Sequence, residues 1–255
     1  MNFSMPSTFP EDMFQKFGKL ASQLFPAALS NENLYDDPHQ KLWHFQKAWL
    51  AVLYRYRACS GHNNTFGTLL VKAKTSDVWR EWSEGEEHHY LLEQCLYHFF
   101  LNALSVIESL VFCLYFVGGM ASPEHFRHVR KPKSITLKTT TSAFEAAFPH
   151  TSITHLLREL LTDPEFTKIE AIRNILAHRV TGRRNIRNYP IRDSSGKHVQ
   201  TREEVWYIPG SSEELAYNEQ LTHHYFEEIT RLITRLISAS LEYVESQTRE
   251  GEGSG

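Results

Sequence analysis

From Glu86 to Val117 the apolar residues recur at helical spacing for about 32 residues, on the order of 48 Å if unbroken at 1.5 Å per residue. Gly118 and Gly119 punctuate its end. A rod of that length predicts a helical bundle built around it. Its most apolar region, Phe99 to Met120, still holds Asn102, Ser105, Glu108 and Ser109. Only Leu110 to Gly119 lacks polar side chains apart from Tyr115, well short of the roughly 20 residues a spanning helix needs. The expectation is a buried helix of a soluble protein, with no membrane partner.

Helical periods dominate the rest. A weak helix is predicted over Glu11 to Leu24, ending before Pro26. Asp37 as a cap and Pro38 in the first turn start another, from about His39 to Cys59, stopping at Gly61. Its Leu42, Phe45, Trp49, Val52 and Tyr56 form a core stripe. Short helices are expected around Ser142 to Phe148 and Ile153 to Leu161. Thr162, Asp163, Pro164 and Glu165 offer a capping box with a first-turn Pro, opening a helix that ends near Gly182. Residues 186–208 change character: YPIR and VWYIP flank DSSGK, a β-hairpin inserted between helices. A last amphipathic helix covers about Tyr217 to Ser246. The predicted fold is all-α: an up-down bundle with a long central helix and a small hairpin before the last helix. Residues 1–35 read as an appendage, 36–248 as the helical domain and 249–255 as a flexible tail.

The segment from Ile169 to Asn185, IEAIRNILAHRVTGRRN, carries the chemistry. At 100° per residue, Phe166, Ile172, Leu176 and Val180 fall within about 60° of Ile169 and face the core. Thr167, Ala171, Asn174 and His178 fall on the opposite side, His178 about 180° from Ile169. A second face of small and polar groups suits the close approach of another helix. On the long helix, Gln94, His98, Asn102, Ser105 and Ser109 lie within an arc of about 80°. Glu108 sits just off that stripe; a buried carboxylate costs several kcal/mol unless paired, and Arg173 is the partner expected for it. The two polar stripes point to one shared cleft, with Asn102 and Ser105 in structural roles.

Arg173-Asn174-Ile175-Leu176-Ala177-His178 resembles the R-N-x-x-x-H form of the signature of HEPN domains. The flanking order fits too: a long helix carrying NALSVIESL, the motif helix, then a terminal helix. The resemblance covers roughly residues 86–247. It implies a dimerising helical bundle with two motif helices side by side, and a metal-independent endoribonuclease of defence or toxin–antitoxin type. Arg173 and His178 from two subunits would then make the site, with Asn174 as the polar residue following the Arg. The partners implied are RNA, a second copy of the chain and an antitoxin or regulatory protein. The alternative within the family is a non-catalytic module that binds nucleotide or protein.

The chemistry agrees. Cleaving RNA without a metal uses the ribose 2′-OH as nucleophile, so it needs a group titrating near neutrality and a fixed cation for the phosphorane. Histidine supplies the first and arginine's forked donor the second. Within one helix Arg173 and His178 are about 140° apart, an awkward angle for one phosphate. A two-fold pairing of motif helices removes that difficulty.

Composition limits how RNA could be held. The formal charge is −3 and the pI about 6.5, so attraction to a polyanion must be local. Arg179, Arg183, Arg184, Arg187, Arg192, Lys197 and Arg202, with Tyr189 among them, are opposed in that interval only by Asp193. Two readings stand: RNA-backbone contacts, led by Arg179, Arg183 and Arg184, or a solvated hairpin. Cys59, Cys95 and Cys113 form no CxxC pair, which fits a reducing cytosol. Nor does any histidine group, Cys59-x-x-His62 and Cys95-x-x-His98 included, show a second pair at zinc spacing. Neither metal nor cofactor is expected.

Overall fold

Helix starts and stops follow local hydrogen bonding and core stripes more than glycine punctuation. The computed structural model describes residues 6–29, 38–75, 82–127, 132–178, 183–192, 196–207, 214–218 and 220–252. Over them the chain is all-α with one small antiparallel sheet before the last helix, the class the sequence predicts. In order run α1 (Glu11–Leu29), α2 (Pro38–Thr75), α3 (Trp82–Ala121), a 3₁₀ turn at Pro132–Ser134, α4 (Leu137–Ala147), α5 (Ser152–Leu160) and α6 (Pro164–His178). Strands β1 (Arg183–Arg192), β2 (His198–Tyr207) and β3 (Glu214–Ala216) follow, then α7 (Gln220–Glu252).

Two helices run through glycines expected to stop them. α2 passes Gly61 because a helical glycine costs only about 1 kcal/mol, and Tyr56, Cys59, Phe66 and Leu70 carry its buried stripe onward. α3 continues through Gly118 and Gly119 because Phe126 packs on the helix there: a Cβ added at Gly118 would overlap its ring. By length and composition α3 can cross a membrane over Gly85–Ala121, more than its uninterrupted apolar stretch indicates, but 72% of its most apolar window is buried inside the protein. α1 likewise runs past Pro26, to Leu29.

The start of α6 departs from the expected box. Asp163, not Thr162, is the cap: its Oδ1 accepts from the Phe166 backbone N at 2.9 Å, and its carbonyl accepts from the Thr167 hydroxyl at 2.9 Å. Thr162 instead turns its hydroxyl back to the Glu159 carbonyl at 3.2 Å. A true capping box forms at α4, between Thr136 and Thr139.

The chain divides into two compact units. One comprises Met1–Arg57, Asn102–Thr167 and Glu228–Gly255. Its core is aromatic: Phe14 stacks on Trp49 at 3.5 Å, Phe126 meets Tyr115 at 5.1 Å and Phe144 at 5.2 Å, and Phe144 meets Tyr243 at 5.4 Å. The other comprises Ala58–Leu101 and Lys168–Glu227, and so holds the sheet and most of α6. Within it Phe100 meets two rings, Trp206 stacked at 5.9 Å and Tyr225 edge-on at 5.1 Å. β1 pairs antiparallel with β2 from Arg183↔Tyr207 to Arg192↔His198, and β2 pairs with β3 around Trp206↔Leu215. In the hairpin turn Gly196 has φ +79°, a conformation that side-chain-bearing residues rarely adopt.

Candidate functional site

α6 presents the motif as its periodicity dictates. Phe166, Ile169 and Ile172 are buried, while Thr167, Ala171 and Asn174 on the opposite face are exposed. Arg173, half-buried at the margin, donates from Nη1 to the Asn174 Oδ1 at 2.8 Å. This contact between neighbours fixes the guanidinium beside the polar face. His178 is the last residue of the helix, and its side chain lies outside the described residues. The expected Val180 contact and Arg179 fall outside them as well.

Of the supporting residues from α3, only the expected burial of Glu108 is overturned. Glu108 is exposed, so the burial penalty that called for an arginine partner does not arise. Asn102 and Ser105 are half-buried. The Ser105–Ser109 end of the polar stripe is satisfied by a residue the sequence reading did not single out. Arg55 of α2 donates from Nη1 to the Ser105 carbonyl at 3.0 Å and also to the Ser109 hydroxyl. That role is structural. At the stripe's other end, His98 stacks on His62 at 5.3 Å between ring centroids.

In the hairpin the basic run meets acids that lie just past Arg202. β1–β2 register sets Arg187 opposite Glu203 and Ile186 opposite Glu204. Arg184 Nη2 lies 2.5 Å from the Glu204 Oε2, with 10% of the arginine side chain exposed, and Arg187 pairs with Glu214. Diagonal neighbours across an antiparallel pair are within reach of long side chains. Arg184 is therefore largely buried and paired within the sheet. Arg183 begins β1, its side chain outside the described residues.

Beside Arg184 lies a polar cluster that sequence reasoning missed. Trp206, fully buried on β2, donates from Nε1 toward the Glu93 Oε2 of α3 at 3.4 Å. Tyr217, 4% exposed, meets Phe66 edge-on at 5.6 Å, and the Arg184 guanidinium lies 5.2 Å from the centre of its ring. Glu93 Oε1, His89 Nδ1 and the Tyr217 hydroxyl are buried atoms with no hydrogen-bond partner of ordinary geometry. Burial pushes the Glu93 carboxyl up to about 7, against the opposing pull of the Trp206 donor, the Arg184 charge and the Tyr217 hydroxyl. His88 and His89 are both held below the usual histidine range, first by burial; Arg184 and Lys72 lower His88 further, and Arg184 and His88 lower His89. The Tyr217 phenol is raised, first by burial and then by the Glu93 charge.

The signal for this cluster was present in HHYLLE, since His89 and Glu93 are four apart and share a face of α3. Nothing in the sequence said that a tryptophan more than a hundred residues later would close over them. Among the described residues no group of three or more His, Cys, Asp or Glu stands together as a metal site. Compared with protein-family models, curated proteins and solved structures, the chain matches none of them.

Proposed function

We propose that this chain is a metal-independent endoribonuclease of HEPN type, acting as a homodimer in phage defence or under an antitoxin. The observation that carries the reading is the R-N-x-x-x-H hexad at the end of α6, with Arg173 steered by Asn174 at the edge of an exposed small-and-polar face. In the proposed reaction the ribose 2′-OH attacks the adjacent phosphorus while His178 takes its proton. The P–O5′ bond breaks, the 5′-oxygen leaves as a hydroxyl after gaining a proton, and a 2′,3′-cyclic phosphate remains. Arg173 binds the non-bridging oxygens, whose charge grows in the phosphorane. Two α6 helices paired about a two-fold axis bring an arginine of one subunit and a histidine of the other to one groove.

The same exposed face, with Thr167, Ala171 and Asn174 on it, favours a second reading in which the module binds nucleotide or protein without cleavage. RNA incubated in EDTA with the wild type, His178→Ala and Arg173→Lys decides between them. Cyclic-phosphate ends from the wild type and their loss in His178→Ala support cleavage. Equal RNA decay with His178→Ala ends the enzyme reading, and binding without cleavage by the wild type selects the second.

A further inference from the structure

α2 carries Lys41, Lys47, Arg55, Arg57, Lys72 and Lys74 and no Asp or Glu, in a chain whose net charge is −3. Its inner stripe is taken up by rings of the N-terminal segment: Phe45 meets Phe17 at 6.3 Å, Trp49 stacks on Phe14, and Tyr56 meets Phe9 at 4.8 Å. On the opposite side Trp43 is 54% exposed, Leu50 43% and Tyr54 59%. Exposed Lys47 and Arg57 stand among them. At 100° per residue, Lys47, Leu50, Tyr54 and Arg57 all lie within about 40° of Trp43, so rings and cations alternate along one face. Trp43 and Tyr54 are about 16 Å apart along the axis. The Lys47 ammonium lies 5.9 Å from the centre of the Trp43 ring.

Two exposed rings call for an apolar or planar partner, and the cations beside them for an anionic one. A second copy of this face fails the second requirement, because a two-fold contact would set Lys47 and Arg57 against their own copies with no acid on the helix to oppose them. An apolar helix fails it too, since it would bury the Lys47 ammonium between Trp43 and Leu50 without a counter-charge. A single nucleic-acid strand meets both: unpaired bases stack on aromatic rings, and the phosphates between them take the lysine and the arginine. A duplex meets only the second, because its bases are already stacked on one another.

We propose that the Trp43–Arg57 face of α2 binds single-stranded RNA, with Trp43 and Tyr54 stacking on bases and Lys47 and Arg57 holding the backbone. The choice of RNA as the strand rests on the ribonuclease reading; the stacking surface itself uses neither Arg173 nor His178.

Fluorescence anisotropy of a labelled oligouridine tests the proposal, with the full chain carrying His178→Ala and EDTA present so that the strand stays intact. Saturable binding is expected. Trp43→Ala and Tyr54→Ala are each expected to weaken it about 5- to 100-fold, the usual worth of one stacked base. Trp43→Phe, which keeps a ring, is expected to stay close to the parent. Lys47→Ala and Arg57→Ala are each expected to flatten the log–log salt slope by about 0.7. No binding by the parent, binding unchanged in both ring variants, or an RNA duplex competing as well as the single strand overturns the proposal. Displacement of the strand by polyglutamate at equal charge concentration also overturns it, by marking the face as one for an acidic protein. If Trp43→Ala does not fold, Tyr54→Ala and the Lys47 slope decide in the same way. Cleavage by the chain with His178 intact reports separately on the ribonuclease reading. Cleaved RNA with binding indifferent to both rings sinks only the α2 surface, and ring-dependent binding without cleavage sinks only the enzyme.

Discussion

A carboxyl on an amphipathic helix ordinarily reaches water, but at Glu93 the indole of Trp206 covers one oxygen and burial raises its proton affinity from the usual 4.5 to about 7. Because the folded chain holds this proton more tightly, the contribution of Glu93 to stability is fullest below about pH 4.5, is lost as pH rises toward 7 and is level above. The shift corresponds to roughly 3 kcal/mol at full effect. Glu93→Gln is therefore expected to be more stable than the wild type by about 1–3 kcal/mol at pH 8 and nearly unchanged at pH 4.5, checked by urea unfolding at both. In the proposed reaction the forked geometry of Arg173 matters more than its charge, since a planar guanidinium matches phosphate oxygens in a way an ammonium does not. Arg173→Lys is expected to lower single-turnover RNA cleavage on the order of 10²-fold, with little effect on unfolding. An unchanged rate would remove Arg173 from the reaction.

Between elements, the same residue type has opposite meanings at two places. Gly61 lies inside α2 with nothing within 4 Å of an added Cβ, so its cost is conformational freedom alone. Gly61→Ala is expected to raise stability by about 0.5–1 kcal/mol. Gly118 lies inside α3 under the ring of buried Phe126, where a Cβ would overlap ring atoms. Gly118→Ala is expected to lower stability by about 1–3 kcal/mol, the usual range for overpacking. Thermal unfolding of both variants checks the pair, and a shift of the same sign would contradict this account of the two helices. The sequence shows each glycine, yet only the neighbour decides whether it is a weak point or a packing device.

For the molecule as a whole, the proposed cleavage requires two copies, since one helix sets Arg173 and His178 about 140° apart. Specific activity is expected to fall on dilution through the range where sedimentation shows dimer giving way to monomer. Constant activity across that range would show that one chain suffices. With a net charge of −3 and with Arg184 and Arg187 engaged by Glu204 and Glu214, long-range attraction to RNA is weak. The salt dependence of binding is accordingly expected to be shallow, checked by titrations between 50 and 200 mM salt; a log–log slope steeper than about −4 would mean that other cations hold the backbone.

Helical spacing alone determined the class of this fold, the core faces of α2 and α6 and the place of the hairpin, because those depend on periods of 3.6 and 2 that any local stretch displays. The polar face bearing Asn174 was legible for the same reason. What the cations do was not, since Arg184's partner is set by strand register and Glu108's exposure by which part of α3 its neighbours cover. The Glu93 cluster is the clearest case: α3, β1, β2 and Tyr217 all contribute to it, and only their packing together excludes water and changes what a carboxyl does.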